Sequence, residues 1–379
     1  MRIAVVGAGV SGLVCAHLLH GRHEVTVYEA QPRPGGHAHT VEIDEDGRRL
    51  AVDTGFIVYN ERTYPLFTRL LARLGVATRE TTMSFSVRCE ASGIEYNGGS
   101  LAGLVARPAN LLDPRFRRML RQVPRFWRDA RALLARPDEK VALGDFLAAG
   151  GYDEAFLALH LRPMLGAIWS TPEDRVETMP ALALARFLEN HGLLQVRDRP
   201  RWRVVEGGSA RYVERLAAPL GDRLRAGLPV RRVLRREDGV EVEDARGGRA
   251  RFDHVVLATH APTALRLLAD PGEAERAVLG AFRTWSNEVV LHTDERLLPR
   301  RQRARAAGNA HRLGADAARG QEGMAVTYWM NLLQGLEARR DYCVTLNRTD
   351  AIRPERILRV QRFAHPVFDG AALAAQRLR

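Results

Sequence analysis

Residues 3–29 read IAVVGAGVSGLVCAHLLHGRHEVTVYE, and their order decides the fold. Ile3–Val6 is a short apolar run suited to a strand buried on both faces. Gly7-Ala8-Gly9-Val10-Ser11-Gly12 follows, then a helical pattern from Leu13 to about His20 and a second strand over Glu24–Glu29. A Gly-x-Gly-x-x-Gly set between a strand and a helix is a dinucleotide loop, with a reason for each glycine. Gly7 permits the tight turn, Gly9 lets a pyrophosphate reach the backbone, and Gly12 lets the helix pack on the strand. The helix start at Val10 and Ser11 offers free N–H groups and a positive dipole end to the phosphates.

Glu29 ends the second strand, where a carboxylate accepts both ribose hydroxyls of an adenosine. A site for a 2′-phosphate would offer a cation instead, which disfavours NADP. Up to this point NAD and FAD fit equally well.

The next residues, Ala30 and then Arg33-Pro34-Gly35-Gly36-His37, separate them. The chain here resembles the flavin amine oxidase and phytoene desaturase superfamily, whose members carry an R-x-G-G-R type segment after the ribose glutamate. His37 stands where many members have arginine. GGHAHTV, VDTGFIVYN, WRVVEGGSARYVERL, AVTYWMN and HPVFD resemble, in order, a bacterial group of NAD/FAD-binding proteins within it, from residue 1 to about 375.

The resemblance implies an α/β chain: a Rossmann-like FAD-binding domain of the GR2 type with an inserted α+β substrate domain. The FAD-binding domain is expected over 1–85, 205–278 and 352–379, and the substrate domain over 86–204 and 279–351. FAD is the implied cofactor, with Arg33, Gly35, Gly36 and His37 close to it and Thr54, Gly55 and Phe56 bringing backbone to the isoalloxazine ring. Val230 is expected at the adenine, and Ala258-Thr259 in a second segment near the dinucleotide. An ordinary hairpin and an ordinary core strand are the plainer readings of those last two. Relatives end with a glycine-rich strand-to-helix turn beside the flavin's pyrimidine ring. After Gly335 this chain has only Gly370, so that turn is expected to be missing and flavin binding to be weakened. Ala307-Gly308-Asn309-Ala310-His311 also departs, since bulkier aromatic residues are expected there.

Between the cofactor segments, Leu111–Leu134 has helical periodicity with arginines on one side, 280–350 is more strand-like, and Ala315–Gly323 suits a polar loop. Leu157, Leu161, Met164, Leu165, Ile168 and Trp169 are candidates for an apolar roof over the flavin, or simply for core.

Composition bounds the rest. The net charge is +12 over 379 residues, almost all from arginine, because Lys140 is the only lysine. A solvated surface or a peripheral contact with an anionic membrane suits that charge. Nucleic acid is not expected, for want of any recognisable module. Arg300–Arg305 reads as an exposed basic loop. Cys15, Cys89 and Cys343 are odd in number and scattered, which points to a reducing compartment and a cytoplasmic location. His37-x-His39 with Asp53 could be drawn as a metal site, but cofactor contact explains these residues better and no metal is expected.

No serine triad, HExxH or Walker lysine is present, so hydrolase and NTPase readings lack support. In flavoenzymes the cofactor carries the redox chemistry, so a dedicated acid or base is not obligatory, and no catalytic residue is assigned. Tyr328, Trp329 and Asn331 form a candidate substrate-facing cluster. The reading is an FAD-dependent oxidoreductase removing hydride from a small or lipid-like substrate, acyl or isoprenoid. A flavin-dependent isomerase, an amine oxidase and a non-catalytic dinucleotide-binding protein stay open beside it.

Overall fold

The computed structural model describes residues 1–169, 177–312, 324–367 and 369–378. The loop expected over 315–323 lies outside the described residues, as do the side chains of Ile168 and Trp169.

At the N-terminus the hydrophobic pattern folds as its spacing requires. Strand Arg2–Val6 leads through the glycine turn to helix Val10–Leu19 and back to strand Glu24–Tyr28. Together with Leu224–Arg225 and His254–Leu257 they make a four-stranded parallel sheet, with Arg2–Val6 between Glu24–Tyr28 and His254–Leu257. Leu13 and Ala16 of the helix pack against Val5, Val25 and Val27, and Leu216 and Leu220 complete that core. Gly7 turns the chain at φ +103°, a conformation a β-carbon disfavours. Gly12 answers to a close approach: a β-carbon there would lie 1.9 Å from the Gly7 carbonyl oxygen. An antiparallel meander of Val230–Arg236, Gly239–Asp244 and Arg249–Phe252 flanks the sheet.

The other half is a seven-stranded mixed sheet, in the order 357–366, 284–292, 343–346, 324–329, 308–312, 85–89 and 95–97. The unusual Gly308–Arg312 run is a central strand there, which explains its small residues. Asn309 is fully buried, and it bonds Ser86 Oγ, the Ala306 N–H and the carbonyls of Ala306 and Thr327. Helices lie across this sheet. The longest, Pro114–Ala135, starts at a proline behind the N-cap Asp113, whose carboxylate accepts the Arg115 N–H. Phe116, Met119, Phe126 and Ala130 form its buried face, while Arg117 and Arg121 stay exposed. The Leu111–Leu134 expectation starts three residues early, because Pro108–Leu112 is a 3-10 turn.

Two expectations need correction. Residues 352–379, expected in the FAD-binding domain, add no strand to the parallel dinucleotide sheet. Ile357–Pro366 pairs along Thr284–His292 at the edge of the seven-stranded sheet, where its backbone groups find partners and Phe363 is buried. A short helix, Gly370–Ala375, follows it, capped by Asp369 accepting the Ala372 N–H. The Arg300–Arg305 run is not wholly a solvated loop either. The Arg305 side chain is largely buried and pairs with Asp341 and Glu295.

The two halves are tied at Asp53. This carboxylate has no solvent exposure. It accepts Thr40 Oγ1 (2.6 Å), the Ser209 N–H (2.9 Å), Ser209 Oγ (2.8 Å) and Gln334 Nε2 (3.1 Å), and its own N–H donates to Gln334 Oε1 (2.8 Å). Burial outweighs these donors and pushes its pKa up to about 6.

Two expected outcomes follow from this packing. Gly12→Ala forces helix from strand and should cost about 3 kcal/mol, the upper end of ordinary overpacking, read as a lower urea midpoint. For Asp53, the folded state holds its proton more tightly than the unfolded chain. Its contribution is therefore greatest below about pH 4 and falls as the pH rises through about 6. Between pH 4 and pH 7 the stability difference between wild type and Asp53→Asn should move against the wild type by roughly 2 kcal/mol. A pH-independent difference would refute the raised pKa.

Candidate active site

The carboxyl ends of the parallel strands open onto a cleft of about 1010 Å³, the usual ligand position in an open α/β sheet. Gly7, Gly9, Val10, Ser11, Glu29, Ala30, Gly35, Gly36, His37, Phe56, Val230, Ala258 and Thr259 all line it. The second glycine turn is held beside the first. The Gly35 N–H donates to the Ala8 carbonyl at 2.7 Å, and a β-carbon at Gly36 would lie 3.1 Å from Gly9 Cα. A β-carbon at Gly9 would meet nothing within 4 Å, so the space in front of it is open. Glu29 is buried at the cleft wall and accepts the N–H groups of Ala8 (2.7 Å) and Gln31 (2.8 Å). A carboxylate has about four acceptor positions, so about two remain for a diol.

Four of the expected cofactor residues do not line this cleft: Gly12, Arg33, Thr54 and Gly55. Gly12 packs helix on turn, as shown above. Arg33 is spent on its own loop, donating to the carbonyls of Pro34, Gly36 and Ala38, and it does not line the cleft. Thr54 lies one step deeper, hydrogen-bonded to His39 Nδ1 at 2.6 Å.

Next to the cleft is a second chamber of about 430 Å³. Thr54 and Gly55 line it, and Phe56 and Tyr64 line both spaces, so the two meet at this segment. Phe56 is held edge-to-face against Phe67, which packs the same way on Tyr212. Met83, Phe85, Met164, Phe187, Leu333 and Phe363 make most of the remaining wall apolar, and among the described residues no carboxylate lines the chamber.

Of the candidate substrate cluster, Tyr328 lines the chamber and donates its hydroxyl to the Ala167 carbonyl. Trp329 and Asn331 do not line it. Trp329 points to the other side of the strand and donates to Asp341, and Asn331 bonds the backbone of Arg340 and Tyr342. In the expected roof, Met164 reaches the chamber, whereas Leu161 and Leu165 are helical core and Leu157 packs against that core. Trp202, Phe363 and His365 are chamber residues that sequence reasoning missed. Trp202 and His365 lie within strings that carried the resemblance and Phe363 two residues before one, but only strand register shows which way each faces.

Histidines stand between the two spaces. His37 stacks on Phe363 at 4.9 Å and meets His365 at 5.2 Å and His260 at 5.8 Å. Burial, and then its histidine neighbours, bring the His37 pKa down to about 4, so the ring is neutral at pH 7. Its Nε2 is buried without a partner. Among the described residues, no group of three His, Cys, Asp or Glu side chains is placed to hold a metal ion. No helix among them is long and apolar enough to cross a membrane.

Residues 10–331 match the family model described as flavin containing amine oxidoreductase. The chain belongs to this family. Its cofactor is FAD, and the open space before Gly9, the spare acceptor positions of Glu29 and the unpartnered His37 Nε2 all fit such a group. AofH of Mycobacterium tuberculosis, a flavin-containing monoamine oxidase by assignment, is 30% identical over 272 residues, 68% of this chain and 56% of that protein. The chain thus spans little more than half the length of that relative. Among solved structures, a putrescine oxidase variant superposes with a TM-score of 0.68 at 20% identity, covering 98% of this chain and 89% of the other. A fatty acid isomerase from P. acnes superposes at 0.66 with 16% identity, covering 100% and 89%. At such identities the likeness is one of fold.

For this member of the amine oxidoreductase family, two substitutions should dissociate folding from cofactor binding. Gly9 has φ −68°, which alanine tolerates. Gly9→Ala should leave the unfolding midpoint within about 0.5 kcal/mol while lowering FAD affinity at least tenfold, because its methyl enters the approach path. Glu29→Ala should weaken FAD by about 1.5–3 kcal/mol, the loss of a charged hydrogen-bond acceptor. Titration of apo-protein with FAD reads both, and an unchanged affinity in either would remove that residue from the cofactor site.

Proposed function

We propose that the protein is an FAD-dependent oxidoreductase that removes hydride from an apolar, lipid-like substrate, an acyl or isoprenoid chain. One observation carries this reading: the chamber that meets the cofactor cleft at Phe56 and Tyr64 is walled mostly by apolar and aromatic side chains and, among the described residues, has no carboxylate in its wall. A cationic amine brought into such a space would face a large desolvation cost with no counter-charge. A hydrocarbon chain gains roughly 0.8 kcal/mol for each methylene removed from water. Both kinds of substrate occur among the fold's neighbours by their names, a putrescine oxidase and a fatty acid isomerase.

The chain's own residues would divide the work. Gly9, Val10 and Ser11 would receive the pyrophosphate at the helix start, Glu29 the ribose, and Val230 the adenine side. Gly36, His37 and the Thr54–Phe56 segment would hold the flavin end, with Ala258 and Thr259 closing the wall. Bound FAD supplies the hydride acceptor. Phe56, Tyr64 and Tyr328 would then orient the substrate chain, and the aromatic wall would exclude water from the reacting carbon. No side chain is assigned as acid or base.

Anaerobic mixing of FAD-loaded protein with single substrates tests the reading. Oxidised flavin absorbance should bleach with an acyl-CoA or isoprenoid panel and stay unchanged with putrescine, cyclohexylamine and benzylamine. Bleaching by amines alone would overturn the substrate class. Turnover of a lipid without bleaching would favour an isomerase.

A further inference from the structure

The hydrogen bonds around His365 fix which of its ring nitrogens carries the proton. The starting point is a backbone group, whose role is not in doubt: the Glu288 N–H donates to Asn347 Oδ1 at 2.9 Å. The other end of that amide, Asn347 Nδ2, must then donate, and it does so to Asn287 Oδ1 at 2.7 Å. Asn287 therefore turns its Nδ2 towards His365 Nδ1, 2.7 Å away. An amide NH₂ can only donate, so Nδ1 is the acceptor, and in the neutral ring the proton sits on Nε2. Three side chains from three strands or their ends, all pointing one way, convert a backbone N–H into a fixed imidazole N–H.

That N–H is available. His365 lines the chamber, and its Nε2 bonds nothing among the described residues yet, unlike Nε2 of His37, is not buried without a partner. It lies at the cofactor end, since its ring meets that of His37, a residue of the cleft wall, at 5.2 Å. His191 of the chamber has the reverse polarity. Its Nδ1 lies 2.8 Å from the Phe187 carbonyl, which can only accept, so Nδ1 carries the proton and the neutral ring has a bare Nε2. The apolar chamber thus holds a donor histidine beside the cofactor cleft and an acceptor histidine on the helical side.

We propose that His365 is the specificity-determining donor of the chamber, and that it takes an oxygen acceptor on the substrate, a carbonyl, ester or carboxylate oxygen, next to the reacting carbon. Asn287 and Asn347 are positioning residues that act through it. The inference rests on the apolar-substrate reading and narrows it from hydrocarbon chains in general to chains with oxygen near the reacting end.

The test uses FAD-loaded protein labelled with ¹⁵N-histidine, together with calorimetric titration of two matched probes, octane and 2-octanone. Nitrogen NMR, assigned by the signal lost in His365→Gln, should show the Nε2–H tautomer. The Nδ1–H tautomer overturns the proposal. Wild type should bind 2-octanone roughly three- to tenfold tighter than octane, the effect of one neutral hydrogen bond. His365→Leu should abolish that preference without weakening octane, and His365→Gln, whose amide also donates, should keep part of it. Equal losses for both probes would reduce His365 to packing. If octane itself fails to bind, the apolar-chamber reading falls as well. If octane binds and the ketone gains nothing, only the donor role fails.

Discussion

A carboxylate with no access to water holds this site in register. Asp53 ends one strand of a hairpin, and its acceptor positions are filled from residues 40, 209 and 334, far apart in the chain and drawn from both halves of the molecule. Three residues after it, Phe56 lines both the cleft and the apolar chamber. An ion buried like this is an uneconomical source of stability, since desolvation opposes it. Its geometric value is that the donors fit one arrangement only. The Thr54–Phe56 segment is therefore placed from three sides, and its backbone is pinned further where the Phe56 N–H meets the His37 carbonyl at 2.8 Å.

The cofactor end of the site was legible in the sequence because its constraints are local. A tight turn, a close helix and an unobstructed approach each exclude side chains, so glycine spacing records them directly. The acidic strand end obeys a spacing rule for the same reason. Arg33 was less legible because a guanidinium can serve a ligand or its own loop, and composition does not distinguish them. Here three loop carbonyls hold it.

The chamber was much less legible. Tyr328 and Trp329 are adjacent, and alternation along a strand sends one into the chamber and the other towards Asp341. Naming the pair was within reach of pattern reading, but choosing between them needs strand register. The C-terminal strand illustrates a longer-range limit. Its ladder with Thr284–His292 closes across residues 293–356, and it carries Phe363 and His365 to the chamber wall. The departure at Ala307–His311, where bulkier aromatic residues were expected, falls on a central strand with one satisfied asparagine.

Phe56 and Tyr64 belong to the walls of both spaces, and this sharing has a thermodynamic consequence. Any occupant of the cleft that changes the rotamer or mobility of either ring alters the free energy of filling the chamber. Reciprocity then requires the chamber's occupant to change cofactor affinity by the same factor. Under that condition, retention of the dinucleotide and grip on a second ligand would form one coupled equilibrium, written in a pair of aromatic rings.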